Sequence, residues 1–267
     1  MFWGIRTLDS IRKQSCTFVN IKTNKLKYMN IDICFSPVLF PFYKVKADSI
    51  VVVVDVFRAS TTICAAFKAG ANSVISVASL KEAEAMKSEG FLVGAERNTD
   101  KCDFADFGNS PFDYTPDKVR NQDIAFTTTN GTQALEAALG VSDLIIGTFS
   151  NISKVVSFCC SNSKDVLILC AGWNNRFNIE DSLFGGALAD RLLQSEKFTA
   201  TSDSVIVALS MWKEARADLR AYLSKSEHIQ RMLVRNLQAD IDFCLKSDTT
   251  DMLPVYDKAS KRLVISR

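Results

Sequence analysis

Asp55, Arg58, Glu96, Arg97, Arg176, Glu180 and Asp181 are the residues of this chain whose types and spacing best suit chemistry. Asp55 closes the run Ile50-Val51-Val52-Val53-Val54, and Arg58 follows three residues later, ahead of Ser60-Thr61-Thr62. An acid, a guanidinium and the free amides of a helix start therefore arrive together. A plainer role is equally open here, with Asp55 capping the helix and Arg58 pairing with a surface acid. Glu96-Arg97, in Gly94-Ala95-Glu96-Arg97-Asn98, repeats the acid–arginine pairing, which contributes little on an open surface. In Thr127-Thr128-Thr129-Asn130-Gly131-Thr132, the Asn-Gly step permits positive φ, so amides can turn inward as an anion-binding nest with hydroxyls beside them. The same run also reads as a simple strand–turn–helix with Thr132 as the cap. Gly108-Asn109-Ser110-Pro111 adds a tight polar turn. Glu180 and Asp181, in the first turn of a helix, complement its dipole whatever else they do. Adjacent carboxylates also suit Mg2+, which binds one or two of them together with substrate oxygens and water.

This inventory suits a small polyanion. Arginine matches phosphate, sulfonate or carboxylate oxygens in a bidentate fork. Phosphoryl chemistry needs mainly positioning and charge neutralisation, and a divalent metal supplies the latter. Asp55 either attacks phosphorus directly or holds the metal while water attacks. The reading assigns Asp55, Arg58 and Arg97 to catalysis. It assigns Ser60, Thr61, Asn109, Thr128, Thr129, Asn130, Gly131, Thr132 and Arg176 to substrate, and Asp55, Glu96, Glu180 and Asp181 to Mg2+. Two other readings use the same residues. One is a non-catalytic module that holds an anionic metabolite. The other is a haloacid-dehalogenase-type phosphatase, which needs a second aspartate where this chain has Phe57.

Elements must bring these residues together. Apolar runs predict strands at 30–35, 49–55, 73–77, 91–95, 123–128, 143–147 and 165–170, and helical spacing fits 60–69, 79–89, 131–139, 151–161 and 179–194. Four consecutive valines mark a strand buried on both faces. In open α/β sheets ligands bind beyond the carboxyl ends of strands, where each of the polar segments lies. Beyond residue 200 the apolar positions predict two long helices, with Val255-Tyr256 and Leu263-Val264-Ile265 closing the chain as a hairpin. The expected fold is α/β, a three-layer α/β/α with a mostly parallel or mixed central sheet and a C-terminal helical layer. Residues 29–267 read as one domain. Residues 1–28 carry six basic residues against one acid and no sustained period, so they read as a disordered or non-native extension before Met29.

Composition narrows the class. The chain has 267 residues, 47% of them hydrophobic and 23% charged, with net charge +2. Its scattered basic residues speak against nucleic acid, and no apolar run approaches the roughly 20 residues that span a bilayer. The eight cysteines form no Cys-x-x-Cys pair and read as reduced core thiols of a cytoplasmic protein. His228, the only histidine, falls in a helical stretch and reads as a helix-surface or core residue.

Taken in series, Asp55-Val56-Phe57-Arg58-Ala59-Ser60-Thr61-Thr62, Gly94-Ala95-Glu96-Arg97, Asp106-Phe107-Gly108-Asn109-Ser110-Pro111, Thr127 to Thr132, and Cys170-Ala171-Gly172 with Arg176-Phe177 and Glu180-Asp181 resemble the motifs of the 2-phosphosulfolactate phosphatases. His228, Asp242-Phe243-Cys244 and Leu253-Pro254-Val255 are similar to that family too. The chain departs from the pattern at Asn98-Thr99, where glycines are usual, and at Ser60, where threonine is common. The resemblance implies an Mg2+-dependent hydrolase that converts 2-phosphosulfolactate to 3-sulfolactate and phosphate, a step towards coenzyme M. It also implies a three-layer α/β fold and a homo-oligomer.

Overall fold

In the computed structural model the run Ile50–Val54 is a strand with every residue buried. Ile50, Val52 and Val54 enter one hydrophobic core, while Val51 and Val53 enter another. Side chains alternate along a strand, so one that is apolar at every position is stable only between two layers. Each of these valines contributes roughly 1.5–3 kcal/mol by leaving water. The structure describes residues 28–266 apart from Ser142, so the expected extension, Tyr28 excepted, lies outside the described residues.

In chain order the elements are β1 (Met29–Cys34), β2 (Ile50–Val54), α1 (Ala59–Lys68), β3 (Ser73–Ser76), α2 (Leu80–Ser88), β4 (Leu92–Arg97) and β5 (Asp100–Lys101). There follow α3 (Pro116–Val119), β6 (Asp123–Thr127), α4 (Gly131–Ala137), β7 (Asp143–Gly147), α5 (Ile152–Asn162), β8 (Val166–Cys170) and α6 (Ile179–Gln194). The chain ends with β9 (Phe198–Thr199), α7 (Asp203–Ala215), α8 (Leu219–Leu223), α9 (Glu227–Val234), α10 (Gln238–Cys244), β10 (Pro254–Asp257) and β11 (Arg262–Ile265).

The strands form one mixed, mostly parallel sheet in the order β5-β4-β6-β3-β11-β10-β7-β2-β8-β1-β9. β4, β6 and β3 pair in parallel, as do β7, β2, β8, β1 and β9. The antiparallel hairpin β10–β11 is wedged between these groups, with Val255 against Ile145 and Leu263 against Val74. Val51 and Val53 of one group share a core with Ile124 and Phe126 of the other, and the carboxyl ends of β2, β4 and β6 border one cavity. Helices α5, α6 and α7 contribute to the core on one face, and α1 and α4 to that on the other, in keeping with the three-layer α/β/α expectation.

One expectation needs correction. The region after residue 200 folds as four helices, because Asp218 accepts the Ala221 amide and Ser226 the Ile229 amide, each capping a new start, and Asn236 turns the chain at positive φ. The closing hairpin forms, but as an interior pair of strands. No described helix is long and apolar enough to cross a membrane. Among the described cysteines, Cys34, Cys64, Cys159, Cys170 and Cys244 are buried, and burial pushes the Cys64, Cys159 and Cys244 thiols up to about 12.

Candidate active site

The turn between β2 and α1 is locked by its own hydroxyls. The Asp55 amide donates to Ser60 Oγ at 2.9 Å, and the Ser60 amide donates back to the Asp55 carbonyl at 2.9 Å. Thr61 is fully buried, its hydroxyl donating to the Val56 carbonyl and lying 2.8 Å from Thr148 Oγ1. Thr62 Oγ1 donates to the Asn109 carbonyl and ties the polar turn at 108–111 to this one. Ser60 and Thr61 thus shape the site from behind.

Asp181 performs a similar task between strands. It accepts the Val56 amide at 2.8 Å, the Gly172 amide at 3.1 Å and Asn178 Nδ2 at 2.9 Å, joining the turns after β2 and β8 to the start of α6. Burial, then the charges of Asp55 and Glu180, push its carboxyl well above the usual range. Gly172 stands at φ +62 with the Arg176 carbonyl 2.2 Å from where a Cβ would lie, so only glycine fits this turn.

Around the ends of β2, β4 and β6 lies a cavity of about 240 Å3. Of the expected residues, Asp55, Arg58, Glu96, Asn109, Thr128, Thr129 and Asn130 line it. Asp55 is 7% exposed, and the Ala59 amide at the start of α1 donates to its carboxylate. Burial, reinforced by Glu96 and Glu180, raises its carboxyl to about 7 against the opposing pull of His228 and that amide. Gly131 is the contact that lets the Thr127–Thr132 turn reach Asp55: an added Cβ would stand 2.9 Å from Asp55 Oδ2 and 2.8 Å from the Ala59 Cβ. Thr132 lies inside α4, where its hydroxyl accepts the Thr128 amide, and Asn130 occupies the cap position at φ −121. Neither Asn130 nor Gly131 takes positive φ, so the turn runs directly into the helix and is not the expected anion-binding nest.

Arg58 is 4% exposed and forms a buried pair with Asp240 of α10, Nη1 to Oδ2 at 2.7 Å, while Nη2 donates to the Thr99 carbonyl. Asp240 Oδ1 also accepts the Ser110 hydroxyl. Arg97 is half-buried beside the cavity, donating to the Glu96 carbonyl and to Thr127 Oγ1. Arg176 and Glu180 line a second cavity, which shares Trp173, His228 and Arg231 with the first.

His228 and Arg231 of α9, with Arg235 at its C-cap, complete the first cavity, and none of them is among the residues the sequence points to there. His228 Nδ1 lies 2.6 Å from Glu180 Oε1 and its ring stands edge-on to Phe57, the residue occupying the position where a haloacid-dehalogenase site has its second aspartate. The Arg231 guanidinium sits 4.0 Å from the Trp173 ring centroid. The missed signal was the spacing of these three along α9 and its C-cap: steps of three and four keep them on one side, while Ile229 and Met232 turn into the core.

Several acceptors at the site lack partners: Glu180 Oε2, Asn109 Oδ1 and Thr128 Oγ1 are buried without a hydrogen bond. Buried polar oxygens left unpaired are costly, so such atoms suit a site that a ligand or cation completes. Asp55, Glu96 and Glu180 are hard oxygen donors of the kind Mg2+ takes. Among the described residues no group of three or more His, Cys, Asp or Glu side chains is placed to hold a metal ion, so a metal here would rest on one or two carboxylates. Mg2+ keeps several waters and substrate oxygens in its shell, so an open donor set fits it.

The 2-phosphosulpholactate phosphatase family model matches residues 34–259. A protein of Thermotoga petrophila is 35% identical over 76% of this chain and 87% of its own. One of Clostridium novyi is 31% identical over 85% and 97%, and one of Microcystis aeruginosa 32% over 87% and 98%. Each carries the description "Probable 2-phosphosulfolactate phosphatase".

Proposed function

Because the chain belongs to the 2-phosphosulfolactate phosphatase family, we propose that it is a phosphoric monoester hydrolase acting on 2-phosphosulfolactate with Mg2+. The observation that carries this reading is the convergence of Asp55 and Arg58, from the end of β2, and Glu96, from that of β4, on one cavity. Asp55 and Glu96, which line the cavity, would hold Mg2+, which when bound neutralises phosphate charge and orients the phosphoryl group.

The chain's own residues supply the rest. Arg58, fixed by Asp240, and Arg231 and Arg235 offset the charges of the phosphate and the acid groups. The hydroxyls of Thr128 and Thr129, which line the cavity, donate to phosphoryl oxygens. Asp55 acts at phosphorus, as nucleophile or by aligning the attacking water. Hydrolysis breaks the phosphorus–oxygen bond, and the departing alkoxide takes up a proton. His228, oriented through Nδ1 by Glu180, retains Nε2 for that transfer. The test is phosphate release from 2-phosphosulfolactate with Mg2+ and with chelator. Absence of turnover combined with ligand-induced thermal stabilisation would point instead to a binding module.

A further inference from the structure

The cavity that adjoins the catalytic one is the larger, at about 320 Å3 against about 240 Å3. The first alone is of a size for a three-carbon phosphorylated acid, so the second is space that such a substrate leaves unused. Trp173, His228 and Arg231 belong to both cavities, so a single ligand anchored by its phosphate at Asp55 can extend past the Trp173 indole into the second.

The lining of that space states what would extend there. Phe177, Ile179 and Trp173 offer apolar surface, and the Phe177 ring is held edge-on to Phe35. Arg176, Lys225 and Arg231 bring three positive charges. Arg176 also lies 5.1 Å from the Trp173 ring centroid. Against them stand Glu227, at 4.0 Å from Arg176 and 3.7 Å from Arg231, and Glu180, which is engaged by His228. Glu227 is 79% exposed, so water screens its hold on the two arginines, and the same screening weakens the pull of Arg176, itself 65% exposed, and of the exposed Lys225. Glu180 and Asn178 also belong to the lining, and their Oε2 and Oδ1 are buried without partners. Apolar surface set beside cations suits a carbon chain with a terminal acid.

We propose that this second cavity is a tail subsite, which admits phosphate monoesters of 2-hydroxy acids longer than three carbons and binds their distal carboxylate or sulfonate through Arg176, Lys225 and Arg231. The proposal rests on the phosphatase reading for turnover and on the cavity alone for binding. Its test compares 2-phosphosulfolactate with the phosphate ester of 2-hydroxyadipate, on the unaltered protein and on Lys225→Glu. The six-carbon ester is expected to reach a kcat/KM within tenfold of the three-carbon one, and a larger deficit overturns the proposal. Lys225→Glu is expected to lower the six-to-three-carbon ratio about fivefold, the effect of reversing one partly screened charge. A ratio that does not fall overturns the proposal. If neither ester releases phosphate, the phosphatase reading fails, and calorimetric binding of the same esters decides on the subsite. Tighter binding of the six-carbon ester, weakened about fivefold by Lys225→Glu, upholds it, and affinity independent of length overturns it.

Discussion

Glu180 Oε1 and His228 Nδ1 stand 2.6 Å apart, joining the first turn of α6 to α9 across the wall between the two cavities. The pair fixes the imidazole ring while leaving its second nitrogen for proton exchange. His228→Asn is therefore expected to lower kcat by about 10²-fold or more, the size of a lost general acid, with KM nearly unchanged. Steady-state kinetics on the folded variant check this, and a kcat close to that of the unaltered protein would remove His228 from the chemistry.

Asp55→Asn should reduce phosphate release at least ~10²-fold. The same substitution carries a stability signature in metal-free protein. The folded carboxyl titrates at about 7, above its ordinary value of 3.8, so between those limits the native state binds more protons than the unfolded one. Stability then falls as pH rises through that window, at up to about 1.4 kcal/mol per pH unit. The gain in Tm of Asp55→Asn over the unaltered protein should grow from pH 4 to pH 7 and level off above it. A gain independent of pH would contradict the shift.

Gly131→Ala tests the contact between the Thr127–Thr132 turn and Asp55. The new methyl meets Asp55 Oδ2 and the Ala59 Cβ below 3 Å, so turn and carboxylate must separate. Overpacking of this kind costs about 1–3 kcal/mol. Urea unfolding should show that loss together with a fall in kcat/KM, and retention of both values would show that the turn moves freely.

Asp240→Asn leaves the Arg58 guanidinium buried without its anion. Breaking a buried pair from one side costs about 3–5 kcal/mol, whereas an exposed pair costs under about 1 kcal/mol. Denaturant midpoints distinguish the two ranges, and a loss in the lower one would mean that Arg58 finds another partner or water.

The strand pattern was legible because each principal strand is a short apolar run next to a helix with its own period. β2, β4, β6 and β8 were readable with their polar ends, and most of the site residues followed. The two-residue strands β5 and β9 have no period to read. The insertion of β10–β11 between β3 and β7 depends on pairing between residues more than 100 positions apart, which local pattern does not encode. For the same reason Asp240, the partner of Arg58, could not be named, since 182 residues separate them. His228 looked like a lone helical histidine because Glu180 lies 48 residues before it. Thr61 and Asp181 were identified by type as ligands for substrate and metal. Their hydrogen bonds place them as the braces of the turns that present Asp55, a distinction between touching a ligand and holding what touches it.

The most direct measurement is phosphate release from 2-phosphosulfolactate by purified protein, in Mg2+ and then in excess chelator. The account predicts turnover with Mg2+, its loss on chelation and its recovery when Mg2+ is restored. Undiminished release in chelator would contradict the metal assignment, and no release under any condition would contradict the phosphatase itself.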